Sequence, residues 1–216
     1  MRKQPTQERA QQTIATIFEA TAQIVEAEGE AGLSTNKVAK KAGFSVGTLY
    51  QYFPTKEAIL VALIARERRR VMDEMQAMLL KAVQEKSDPK VVMRQRVRAL
   101  IEAFGTGHRV RRSMIRLAWR MDHHDNITQA LREGADHIAV AMSQLQDPAL
   151  RPPSPAMMFV ATRAVMGAIR SASLEESPLL GTQDFEDELV RLAWALMRAE
   201  PEQQPGRTPD TLSSAP

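Results

Sequence analysis

The chain has 216 residues, 44% of them hydrophobic, a net charge of +3 at neutral pH and no cysteine. This length suits one large or two modest domains, and the missing thiols exclude disulfides, thiol redox sensing and cysteine-held metals. No apolar run approaches the roughly 20 residues needed to span a bilayer, and no charged-then-apolar leader opens the chain, so a cytoplasmic protein without membrane contact is expected.

Charge is uneven along the chain. Residues 1–60 carry 7 basic and 6 acidic side chains, residues 61–120 carry 15 and 6, and residues 121–216 carry 7 and 14. The first third is therefore not the strongly basic segment usual in a nucleic-acid-binding domain. Within it, however, Lys37, Lys40, Lys41 and Lys56 gather in one short stretch, where phosphates would be met. Glu19, Glu26, Glu28 and Glu30 surround the first helix and are expected to lie away from such a contact.

In chain order, a first helix is predicted over about 6–28, with Ile14, Ile17, Phe18, Ala22 and Val25 at helical spacing, ending near Gly29 and Gly32. The stretch STNKVAKKAGFSVGTLYQYFPTK, residues 34–56, then predicts two short helices and a tight turn. Ser34 can cap the first by accepting from an early backbone N–H. Val38 and Ala42 share a face, and Ala39 beside them is small enough for close approach. Gly43 supplies the left-handed conformation that ends a helix and turns the chain. Ser45 can cap the second helix. Leu49, Tyr52 and Phe53 point inward, and Thr48, Tyr50 and Gln51 are left available. Pro54 stops this helix and Thr55 can cap the next.

A small residue, a turn glycine and apolar positions at these offsets are what a helix-turn-helix needs. The second helix has too few apolar residues for a core helix of an ordinary hairpin. The segment Leu33 to Ile59, and above all the run AGFSVGTLYQYFPTKEAIL, resembles the DNA-binding motif of the tetracycline-repressor (TetR) family. The preceding helix with Ile14, Phe18 and Ala22, ahead of Gly29, is similar to that family's too. The close resemblance covers about the first sixty residues; the rest is similar only as an all-helical domain of the right length. It implies an all-α protein of about nine helices with three parts: a helix-turn-helix domain at 1–54, a helical effector-binding and dimerisation domain at 55–199, and a disordered tail at 200–216. It also implies a homodimer on a palindromic operator in double-stranded DNA, released when a small, largely apolar effector binds. Carried over by position, Thr35, Thr48, Tyr52 and Lys56 are expected at phosphates. Val46, Gly47, Tyr50 and Gln51 are expected at bases or the nearby backbone, and Lys37 adds a backbone contact. Gly47 allows close approach, Val46 can meet a thymine methyl, and Gln51 can read adenine. Many family members have a basic residue where Val46 stands, so the base preference there is left open.

Beyond the motif, a long helix is predicted from Thr55 to about Val83, interrupted by RERRR at 66–70, which reads as solvated surface or as a phosphate-near patch. Ser87-Asp88-Pro89 starts another, carrying Val92, Met93, Val97, Leu100, Ile101 and Phe104 and breaking at Gly105 to Gly107. Further helices are predicted over about 110–121, 126–145, 156–174 and 184–199, with a proline-rich loop at 148–155 between the second and third of these. The family's effector site lies between these helices. Met75, Met78, Val97, Ile101, Phe104, Met114, Leu117, Trp119, Met121, Met142, Phe159 and Arg163 are the candidates for its lining. Arg163, inside an otherwise apolar helix, is a candidate for a buried charge partner. Arg109, Arg112, Arg116 and Arg120 form a stripe that could hold an anionic ligand group but is more often solvated or paired with acidic neighbours such as Asp184, Glu186 and Asp187. Ala161, Ala164, Val165, Ala168 and Ile169, with Leu189, Leu192, Ala193 and Leu196, mark the two helices that pair with their copies in the family.

No phosphate-binding glycine loop, nucleophile elbow or paired-histidine metal motif occurs, so no catalytic residue, cofactor or metal is expected. His123 and His124 lie beside Asp122 and Asp125 but, as adjacent helical residues, face apart. Two functions remain: a ligand-released repressor, or a DNA-binding regulator without a small-molecule effector, controlled by a protein partner or by abundance.

Overall fold

A computed structural model describes residues 4–106 and 124–199. All regular elements among them are helical: α1 (Gln4–Glu28), α2 (Thr35–Ala42), α3 (Val46–Tyr50), α4 (Lys56–Glu85), α5 (Pro89–Ile101), α6 (His124–Leu145), α7 (Pro155–Leu174) and α8 (Gln183–Met197). A 3₁₀ turn, Glu30–Gly32, follows α1, and a π-helical turn, Glu102–Thr106, follows α5. The expected helix at 110–121 and the tail from 200 lie outside the described residues, as do Met114, Leu117, Trp119, Met121 and the arginine stripe.

The helix starts are built by local chemistry. Ser34, Ser45, Thr55, Ser154 and Thr182 each accept a backbone N–H three residues on. Asp88 accepts two, from Lys90 at 2.7 Å and Val91 at 3.2 Å. Each cap satisfies N–H groups that a helix start leaves without partners. Gly43, at φ 75° and ψ 23°, ends α2 in the left-handed conformation, and the Phe44 N–H closes back on the Ala39 carbonyl at 2.9 Å. The expected break spans Gly105 to Gly107, and Gly107 lies outside the described residues. The chain widens into the π turn, which buries Ala103 and half-buries Phe104 together.

Two packing regions result. In the first, Ile17, Phe18, Ile24, Val25, Leu33, Val38, Ala39, Leu49 and Phe53 pack with Ile59, Leu60, Leu63 and Ile64 of α4. Phe18 and Phe53 lie 5.7 Å apart, centroid to centroid. In the second, α5, α7 and α8 meet around Val97, Ile101, Val165, Ile169, Leu189 and Val190. α6 packs on α4 and α7, and Met142, Met157, Met158 and Met197 fill the space near its end. After α6, Leu150 and Arg198 form an isolated antiparallel bridge that ties the proline-rich loop to the end of α8.

The RERRR run is not simply solvated. The Arg66 guanidinium stacks over the Phe18 ring, 5.5 Å from its centroid. Arg70 is held by Glu67 at 3.1 Å and by Glu74. Glu186 finds its described partners on α5. Arg98 binds it twice, at 2.9 Å, and Arg94 at 3.1 Å, while Arg94 also holds Asp187. Glu186 is 6% exposed although charged, and this forked ion pair joins α5 to α8. The hydrogen bond from Arg98 is the main reason its carboxyl lies below the ordinary carboxylate range, against the desolvation that pushes it up.

Candidate nucleic-acid interface and internal cavity

α3 is five residues long and rests on one anchor, Leu49, which is wholly buried. Around that anchor the helix turns Gly47, Tyr50 and Gln51 to the surface, with Tyr50 51% exposed. The helix is too short to persist alone; its two caps and the buried anchor hold it. Tyr50 is further positioned by a hydroxyl–hydroxyl hydrogen bond to Thr35 of 3.2 Å, which braces α3 against the start of α2. Thr48 bonds the Ser45 hydroxyl at 2.9 Å and its N–H donates to the same oxygen at 3.0 Å. Thr35, Thr48, Tyr50, Gln51 and Gly47 thus lie at one exposed edge of the first packing region.

Lys56 is the first residue of α4, next to the Thr55 cap and partly buried. Tyr52 and Val46 are only half-exposed, because both pack against the N-terminal core. Val46 is therefore a less open base-reading candidate than its position in the motif implies. Lys37 pairs with Glu28, both about half-exposed. Glu28 accordingly does not lie away from the motif. Such a surface pair contributes little, so Lys37 can exchange it for another anion.

Gly47 has no structural reason within the chain to be glycine. A Cβ there meets only the Ser45 Oγ, at 3.8 Å, and the backbone is not left-handed. Open space at an exposed glycine is what close approach by another molecule requires.

Between α4, α5, α6, α7 and α8 lies a cavity of about 390 Å³, within the usual range for small-molecule sites. Its wall is mainly aliphatic and methionine, including Met75, Val97, Met142 and Met166, with Phe104 from the π turn. Met75, Val97, Phe104, Met142 and Arg163 are thus brought together as expected lining. Three expected residues are elsewhere. Ile101 is in the α5–α7–α8 core, Met78 packs on the cluster of Val71, Met75 and Ala103, and Phe159 faces outward, 59% exposed. Among the described residues no carboxylate pairs with Arg163; it stacks on the Phe159 ring at 4.2 Å and donates to the Thr162 hydroxyl at 3.0 Å. Sequence reasoning missed Arg70 and Arg96, which also line the cavity. Arg96 carried a signal: it stands four residues from both Val92 and Leu100, on the apolar stripe of α5.

The residues expected at a dimer contact divide. Ala161, Val165, Ile169, Leu189 and Ala193 are buried in this chain's own core, and Ala164, Ala168 and Leu196 are half-buried. Helical spacing locates an apolar face without saying whose core it fills. Of the nine only Leu192 is exposed, at 42%, joined on the outer sides of α7 by Phe159 and by Val160 at 49%.

Residues 17–63 match the bacterial regulatory proteins of the tetR family. Over 55 residues the chain is 40% identical to the HTH-type transcriptional repressor KstR of Rhodococcus jostii, a stretch that is 26% of each chain. The match thus spans about a quarter of the length of the curated relatives it covers. Over nearly the whole chain the fold is similar to that of SmeT, the repressor of the Stenotrophomonas maltophilia multidrug efflux pump SmeDEF. The TM-score is 0.64 at 18% identity, covering 93% of this chain and 97% of that one. It is similar also to FadR of Bacillus subtilis in complex with stearoyl-CoA, with a TM-score of 0.62 at 18% identity, covering 84% and 97%.

Proposed function

We propose that this chain, whose residues 17–63 match the tetR family of bacterial regulatory proteins, is a homodimeric transcriptional repressor released from its operator by a small molecule. The observation that carries the reading is the exposed edge of α3, where Gly47, Tyr50 and Gln51 stand clear on a capped helix fixed by one buried leucine. Such a helix suits the major groove, with Tyr50 and Gln51 at base edges or the nearby backbone. Thr35, Thr48, Tyr52 and Lys56 lie at phosphates, where the start of α4 adds its partial positive charge, and Lys37 joins them on leaving Glu28. The reading unit is residues 1–54 with the first turns of α4, and residues 55–199 hold the effector and the partner copy. It acts on DNA in the cytoplasm; among the described residues no helix is long and apolar enough to cross a membrane.

One short helix buries too little on a duplex to specify a site alone. A two-fold dimer reads two half-sites roughly 34–36 Å, or a multiple, apart. The outer sides of α7 and α8, with Phe159, Val160 and Leu192, are the surface best suited to the second copy. The cavity favours an effector over control by abundance or a protein partner, and one protein of similar fold is in complex with a small molecule, stearoyl-CoA.

Ligand release follows if the effector binds better to the form that cannot reach both half-sites. Ile64 couples the two regions directly, since it belongs to the N-terminal core and also lines the cavity. Footprinting across the source organism's promoters at modest ionic strength tests the DNA reading, which fails if no site is protected. Sedimentation of the wild type against a Val160→Glu, Leu192→Glu double variant tests the pairing: a dimer that dissociates is expected, and a wild-type monomer with and without operator refutes it. Thermal shift against a metabolite panel, followed by operator binding, tests effector control.

A further inference from the structure

The cavity wall carries a charge imbalance that an apolar effector does not explain. Among the described residues, five arginines line it, Arg68, Arg70, Arg96, Arg163 and Arg170, and one carboxylate, Glu67; Arg68 and Arg170 have partners of their own. Glu67 is already engaged by Arg70, which Glu74 holds from its other side. Even so, the Arg70 Nη2 is buried with no hydrogen-bond partner. Arg96 is the sharper case. Its Nη1 donates to the Met75 carbonyl at 3.3 Å, and no carboxylate among the described residues reaches it. Burial pushes the guanidinium down to about 10, so it remains cationic at neutral pH. A largely buried cation whose one hydrogen-bond partner among the described residues is a neutral carbonyl is costly unless an anion joins it. A planar guanidinium with free N–H groups matches a carboxylate in shape and charge.

We infer that the cavity takes an aliphatic carboxylate, its acid group on Arg96 and its chain along the methionine-rich wall. The walls support the second half. Met72, Met75, Met93, Met142 and Met166 offer flexible, unbranched surface to a chain that has no fixed shape of its own. The volume of about 390 Å³ is enough to hold a chain of medium length. The inference rests on the cavity being the effector site proposed above, but its test needs no DNA.

The test is calorimetric titration of the full chain with decanoate and with methyl decanoate, which share a chain and differ in charge. Decanoate is expected to bind about tenfold or more tightly than the ester, the ratio expected for a charge-assisted hydrogen bond in a desolvated site. Arg96→Met should bring decanoate down to the ester's affinity, and Arg96→Lys, which keeps the charge, should retain part of the preference. Circular dichroism confirms that both variants fold. Equal binding of acid and ester by the wild type overturns the inference while leaving the effector cavity standing, as does an undiminished preference in folded Arg96→Met. Binding of neither probe overturns the inference, while the small-molecule reading is judged by the metabolite panel and DNA binding by footprinting.

Discussion

Replacing Gly47 by alanine separates what the chain needs in order to fold from what it needs in order to bind. The added Cβ meets only the Ser45 Oγ, at 3.8 Å, an ordinary van der Waals contact. Alanine favours a helix over glycine by about 0.5–1 kcal/mol, only part of which is realised in the first turn of α3. In a chain of this size about 1 kcal/mol moves the melting temperature by roughly 2–4 °C. Gly47→Ala should therefore melt at the wild-type temperature or slightly above it. On the operator the same methyl group occupies the space into which a base or sugar-phosphate must come. An overpacked contact costs about 1–3 kcal/mol, which is about 5- to 150-fold in affinity for each half-site. Fluorescence anisotropy on the footprinted operator, with thermal denaturation in parallel, reads both quantities. Wild-type operator affinity at an unchanged melting temperature would show that nothing approaches Gly47 and would remove α3 from the interface. A fall in melting temperature would show that the glycine serves the fold.

Gly43→Ala tests the turn: with φ at 75° and nothing within 4 Å of a new Cβ, the cost is backbone strain alone, about 1–2 kcal/mol, read by urea unfolding and refuted by an unchanged midpoint. Gln51→Ala should cost about 1–3 kcal/mol on the operator and loosen selectivity at one base pair, whereas Lys56→Ala should weaken operator and random DNA alike and lower the salt slope by about one unit. Equal losses on both DNAs for both variants refute these assignments. Glu186→Gln tests the forked ion pair. Because Arg98 and Arg94 hold the Glu186 carboxyl below its ordinary value of 4.5, the unfolded chain takes up its proton first as pH falls. The stability it contributes is present above that value and is lost as pH drops through the depressed one. The variant should melt lower than wild type at neutral pH and lose less between neutral pH and acid; parallel melting curves against pH refute this.

What was legible in the sequence is what local chemistry decides. Ser34, Gly43, Ser45, Thr55 and Asp88 mark helix ends through bonds to residues two to four positions away, and each stands in that role. The inward face of each helix was legible too, since Leu49, Ile59 and Ile169 fall on apolar periods and all are fully buried. Periodicity stops at the helix surface. It could not say that Ala161, Val165 and Ala193 serve this chain's own core, or that Phe159 turns outward to meet Arg163. Partnerships across long separations were illegible for the same reason: Arg94 and Arg98 find Glu186 about ninety positions away only because α5 and α8 pack together. Arg96 was overlooked because a charged residue on an apolar stripe is easily taken for one that reaches out to solvent.

α4 is a single rod of 30 residues with neither glycine nor proline along it, and so has no built-in joint at which bending could absorb a push. Val71, at the cavity, and Lys56, at the proposed duplex edge, are fifteen positions apart, or about 22 Å along the axis. A swing of about 10° pivoting near Val71 would carry the Lys56 end by about 4 Å, most of one 5.4 Å helical pitch. A stiff lever of that length magnifies a modest rearrangement beside the ligand into a displacement large enough to spoil the spacing of two reading heads.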